Sequence, residues 1–109
     1  MATFADLDEV TFDLDADGEQ VREQLGRRVW EARGWATVAC AYRERARDGS
    51  WRPAKLAVIK LRRVHDAWKR ESSVTLDGNI AAQLAAALAG WRDHFAGDAD
   101  ADAEAETDH

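Results

Sequence analysis

Four of the five tryptophans, Trp30, Trp35, Trp51 and Trp68, share a stretch of chain with Arg27, Arg28, Arg43, Arg45, Arg52, Lys55, Lys60, Arg62, Arg63, Lys69 and Arg70. Interleaved side chains of these two kinds suit one chemistry. Cations follow a phosphate backbone, and flat aromatic faces stack on unpaired bases at about 1–3 kcal/mol per base. Trp51, in a turn, and Trp68, beside Lys69 and Arg70, are the expected stacking platforms. Charge distribution points the same way. The formal charge is −6, yet residues 1–21 carry −7, residues 22–70 carry +9 and residues 71–109 carry −8. A basic centre between acidic ends is the electrostatic footprint of a polyanion site. The competing reading makes the tryptophans core and lays arginine stems over them. The basic sheet face would then dock an acidic protein partner.

Other chemistries are poorly supplied. Asp13, Asp15 and Asp17-Gly18 open like a calcium loop, but the twelfth position, which needs a bidentate Glu, is Gln24. An acidic turn is the expectation there. His65, His94, His109 and Cys40 share no metal-ligand spacing. Ser72-Ser73 lies beside Lys69-Arg70 with no base to activate a nucleophile, and no Gly-rich phosphate loop occurs. The expectation is a protein with no catalytic residues, metal, cofactor or small-molecule substrate.

The elements that position these side chains come from one modest domain. The length of 109 residues suits a single unit. Hydrophobic residues make up 46%, but 22 of them are alanine, which leaves material for one core. A single cysteine rules out an intrachain disulfide. No apolar run reaches the roughly 18 residues of a membrane span. The acidic start, MATFADLDEV, lacks the basic and apolar regions of a signal peptide. The expected location is therefore cytoplasmic and nucleoid-associated, away from any membrane. Twelve arginines against three lysines, with abundant alanine, suggest a GC-rich bacterial genome.

Alternation at Val10, Phe12 and Leu14 predicts a short strand over residues 9–14, and Asp15 to Gly18 a turn. Val21, Leu25 and Val29 fit a helix or a strand; Gly26 among them favours a strand over residues 19–32. Residues 35–46 read as a long strand with Val38, Cys40 and Tyr42 on one face and Trp35, Thr37, Arg43 and Arg45 on the other. Asp48-Gly49 marks a hairpin, with Pro53 at the next strand's start. In residues 55–64, Leu56, Val58, Lys60 and Arg62 share one face, and Ala57, Ile59, Leu61 and Arg63 the other, with a bulge expected. Residues 68–76 are the last strand. Asp77 is placed to cap a helix whose apolar face runs Ile80, Leu84, Leu88, Trp91 and Phe95, with Gly97 as its stop.

The predicted fold class is α+β: an antiparallel curved β-sheet of four to five strands followed by one C-terminal amphipathic helix. Residues 1–18 form an acidic extension with a short strand, 19–96 the domain, and 97–109 an acidic tail expected to be disordered. That tail has the charge to occupy the basic face when the face is empty. The helix is expected to pack on the sheet, with surplus apolar surface making a homodimer.

The segments Glu23-Gln-Leu-Gly-Arg-Arg-Val-Trp30, Gly34-Trp35, Lys55-Leu-Ala-Val-Ile-Lys-Leu-Arg-Arg63 and Trp68-Lys-Arg-Glu-Ser-Ser-Val-Thr-Leu76, followed by the amphipathic helix, set a pattern over about residues 19–92. In order, length and hairpin placement it resembles the transcriptional coactivators of the positive-cofactor-4 type, especially their small bacterial relatives. The resemblance implies a dimer whose curved sheets bind single-stranded DNA, or RNA, in transcription or in DNA repair and replication. Lys60 stands where the family has an arginine after the third-strand isoleucine, and Val74-Thr75-Leu76 where it has Ile-Ser-Leu. Ser72-Ser73 replaces the family's Lys-Gly, and Arg62 or Arg63 its third-strand aromatic.

Overall fold

The computed structural model describes residues 3–96, so the expectations for residues 97–109 lie outside the described residues. The chain forms β1 (Thr3–Phe4), a single 3-10 turn (Leu7–Glu9), β2 (Leu14–Ala16), β3 (Glu19–Ala32), β4 (Trp35–Glu44), β5 (Lys55–Val64), β6 (Ala67–Asp77), α1 (Gly78–Gly90) and α2 (Arg92–Ala96). The strands make one curved antiparallel sheet in the order β1-β6-β5-β4-β3-β2. β3 to β6 are a simple meander, as alternation and turn chemistry predict. The turns centre on glycines that take positive φ freely: Asp17-Gly18 (53° and 81°) and Arg33-Gly34 (51° and 79°) join neighbouring strands in the left-handed conformation that two-residue hairpins need, with Arg33 held there against its own preference. The sheet has six strands because short edge strands flank the meander, one more than expected.

Antiparallel partners point their side chains to the same side. Val29↔Val38↔Ile59 and Cys40↔Ala57 therefore share one face with Ala36, Leu61 and Trp68. This face is the core. Val38, Cys40 and Leu61 have no solvent exposure, and Ile59 has 1%. The expected strand over residues 9–14 is corrected here: Glu9 ends the 3-10 turn, Val10 to Asp13 are not in a strand, and only Leu14 belongs to one. The segment crosses the sheet as a strap, with Val10 buried and Phe4, Leu7 and Phe12 packed against the core. Alternation turns Val10 and Phe12 inward but leaves Leu14 exposed, and the strap backbone is satisfied by side chains instead of a ladder. Phe12 N donates to Gln24 Oε1 at 3.2 Å, and Asp13 N to Thr11 Oγ1 at 3.3 Å. The Arg27 guanidinium donates to the carbonyls of Leu7 and Val10. Further along the strap, Phe12 stacks on Tyr42 with ring centroids 4.5 Å apart, and Arg22 lies over both rings.

α1 starts where predicted. The Asp77 side chain accepts from Ile80 N at 2.9 Å. Gly78 allows the close approach, since a Cβ there would sit 2.6 Å from the Ala54 carbonyl oxygen. The helix breaks at Trp91, earlier than Gly97, and continues as α2. Its expected packing on the sheet is corrected. α1 has no buried residue, and Ile80, Leu88, Trp91 and Phe95 are all 43–51% exposed. The core face is already filled by the strap, so the helix's apolar stripe finds no place on it. No helix among the described residues is long and apolar enough to cross a membrane.

Candidate nucleic-acid interface

Among the described residues, no strap crosses the second face of the meander. Register sets its rows. Trp30↔Thr37↔Lys60↔Ser72 cross four strands in one row, and Ala32↔Trp35↔Arg62↔Lys69 in the next. Each row spans about 14 Å at the usual strand spacing, and the rows lie about 7 Å apart. Arg28↔Ala39↔Val58↔Val74 and Gly26↔Ala41↔Leu56↔Leu76 follow. The open face thus divides into a basic, aromatic half and an apolar half.

In the basic half, Trp30 is 52% exposed and Trp35 half-buried. Arg28 lies 5.7 Å from the Trp30 ring centroid; Lys60 and Arg62 lie 4.8 and 6.0 Å from that of Trp35. Such contacts hold a cation near an aromatic face at modest cost to its hydration. No carboxylate among the described residues pairs with Arg28, Lys60 or Arg62. Beside them an open hollow of about 410 Å³ is lined by Thr37, Val58, Lys60, Ser72, Ser73 and Val74. Its ammonium and hydroxyl groups are the donors an anionic oxygen takes.

The expected contact residues divide between the two faces. Arg28, Lys60, Arg62 and Lys69 come together on the open face, with Arg43 at its far end. Arg43 is neutralised there by Glu23 at 2.6 Å. Arg45 is tied to the carbonyls of Gln20 and Gly49 at 2.9 and 2.8 Å. Trp51 bridges to Arg45, and the guanidiniums of Arg43 and Arg45 lie 4.3 and 4.2 Å from its ring centroid. Arg52 is exposed in the same hairpin loop. Arg27, Lys55, Arg63, Trp68 and Arg70 lie on the strapped face.

Trp68 as a stacking platform is corrected. It is 5% exposed in the core cluster, opposite Phe4 in the β1–β6 pairing, where no base reaches it. Its place beside Lys69 in sequence is misleading because adjacent strand residues face opposite ways, and Arg70, which faces the same way as Trp68, pairs with the buried Leu61. Trp30 and Trp35 take the position it was given. The available signal was parity: Trp35 alternates with Val38, Cys40 and Tyr42, and so cannot share their buried face.

Three groups have shifted protonation. Hydrogen bonding from Lys55, with help from Arg22, holds the Glu44 carboxyl below its ordinary range, despite an opposing effect of burial. Burial pushes the Cys40 thiol up; its Sγ donates to Gln24 Oε1 at 3.3 Å. Hydrogen bonds from Ser50 lower Asp48. None belongs to the open basic half. Asp13 of the acidic turn accepts from Gln24 N at 2.8 Å, and no group of three His, Cys, Asp or Glu among the described residues is placed to hold a metal. A scan against protein-family models finds no match to the chain, and searches of curated proteins and of solved structures find none.

Proposed function

We propose that this chain is a non-enzymatic protein that binds single-stranded nucleic acid, DNA in the first instance, on the open face of β3–β6, and that it does so as a homodimer serving transcription or DNA repair and replication. One observation carries the reading: an exposed Trp30 and a half-exposed Trp35 stand on one sheet face among Arg28, Lys60 and Arg62, three cations without a carboxylate partner among the described residues. Bases stack on the indoles, taking the place of the cations now over them, and the displaced cations reach the phosphates. Lys69 and the hydroxyls of Ser72 and Thr37 extend the anion-binding row. The uncovered stripe of α1 is a surface a second copy buries.

The test is a titration of the full chain with a fluorescent 20-nucleotide single strand, followed by anisotropy and by tryptophan emission, with duplex as competitor and at several salt concentrations. Tight single-strand binding with quenched tryptophan is expected. Equal affinity for duplex without quenching would reduce the site to phosphate contacts. Absence of binding at low salt would overturn the reading in favour of an acidic protein partner on the same face.

A further inference from the structure

β6 is nearly an outer strand. β1 pairs with it only at Trp68 and Lys69, and Glu71 to Thr75 are all exposed, with no described strand beyond them. Alternate backbone N–H and C=O groups along this stretch therefore face outward. Proteins normally blunt such an edge with charges, proline or a bulge. The opposite side of the sheet obeys that rule: β3 beyond β2 carries Glu23, Arg27, Arg28 and Glu31 and is interrupted by a register shift at Gln24/Gly26. β6 from Ser72 to Leu76 has no charge and no proline, and its Val74 is 51% exposed.

We infer that the Ser72–Leu76 edge of β6 pairs antiparallel with the same edge of a second copy, joining two sheets into one. This inference extends the homodimer proposed above and rests on it. Charge favours this occupant and this direction. The uncharged stretch is flanked by Lys69 and Arg70 on one side and Asp77 on the other, with Glu71 held towards Lys69 at 4.0 Å. Antiparallel pairing centred on Ser73 sets Glu71 against Thr75 and brings the cationic flank of each copy towards the Asp77 end of the other; parallel pairing would set like against like. The edge is also continuous with the uncovered helix, since α1 leaves β6 at Asp77. A partner on the edge therefore lies beside the exposed stripe of Ile80 and Leu88. A two-fold axis perpendicular to the sheet keeps both open faces on one side. Twelve strands would then present two basic, aromatic halves to one nucleic-acid strand.

The test is sedimentation of the full chain over a range of concentrations, without nucleic acid, for the native sequence, Ser73→Lys and Ser73→Glu. Ser73 is exposed and lies near the middle of the edge. Each variant alone is expected to raise the dissociation constant at least about tenfold, because like charges meet across the axis. An equimolar mixture should restore the dimer. Hydrogen exchange at the outward amides of Ser72–Leu76 should slow as protein concentration rises. If Ser73 variants leave self-association intact while Leu88→Lys abolishes it, the copies meet through α1 alone and the edge pairing is overturned, with the homodimer standing. A native chain that stays monomeric overturns both. A monomer that still binds single strands leaves the nucleic-acid reading untouched.

Discussion

The two faces of the sheet come from the same strands by the same alternation, and they end in opposite states. On the strapped face, Val38, Cys40, Ile59 and Leu61 are sealed under Val10, Leu7 and Phe12. Three of the cations there have partners within the fold: Arg27 holds strap carbonyls, and Arg22 and Lys55 share Glu44 at 3.2 and 3.1 Å, while Arg63 lies 5.8 Å from the Trp68 ring centroid. On the open face, Trp30, Val74 and the cations of the basic half keep contact with water. The same residue types therefore mean different things on either side. An arginine with a carbonyl or carboxylate already in its fork contributes to stability. One resting only on an indole gives up little when it turns to a phosphate.

This contrast is sharpest in the paired tryptophans. Trp68→Ala should cost about 3–5 kcal/mol of stability, as expected for a large aromatic in a packed core, and should lower Tm in thermal unfolding. Trp30→Ala should leave stability within about 0.5 kcal/mol of the native chain. It should instead weaken single-strand binding by about 1–3 kcal/mol, read in the anisotropy titration. If Trp30→Ala melts the fold and spares binding, the assignment of the two faces is reversed.

The cations give a smaller difference. Lys60→Gln and Arg62→Gln should each reduce the slope of log affinity against log salt by about 0.7, the value for one phosphate contact on a single strand. Lys55→Gln, on the strapped face, should leave that slope unchanged. The smallest expected effect is in pH dependence. Glu44 has a folded-state pKa below its unfolded one, so its contribution to stability is present above the unfolded value and is lost as pH falls through the folded value. Glu44→Gln should therefore be less stable than the native chain at neutral pH, and the two should converge on acidification. Chemical unfolding at a series of pH values measures this. Equal stability at neutral pH would mean that the Lys55 and Arg22 pairs are fully screened by solvent.

Much of this architecture is legible in the residues. Val38, Cys40 and Tyr42 declare a buried face by parity, and Asp77 announces the helix that it caps. Two things were hidden for physical reasons. Alternation at Val10 and Phe12 shows which side chains turn inward, but the same alternation serves a paired strand and an unpaired strap. The apolar stripe of α1 shows that something must cover it, yet periodicity carries no information on whether the cover comes from the same chain. The sorting of the candidate site was partly legible too. Arg28, Lys60 and Arg62 fall on the open face by counting, whereas the burial of Trp68 is masked in sequence by Lys69, which faces the other way.

The strap also has a consequence in time. Its first paired residues, Thr3 and Phe4, lie against Lys69 and Trp68 at the far end of the meander. Hairpins between consecutive strands close short loops, while this contact closes nearly the whole domain and bears the larger entropic cost. The strap finds Gln24, Arg27 and Tyr42 once β3 and β4 have formed, but Thr3 and Phe4 have no strand to pair with until β6 has emerged. That corner of the core is closed by residues made well before those they cover.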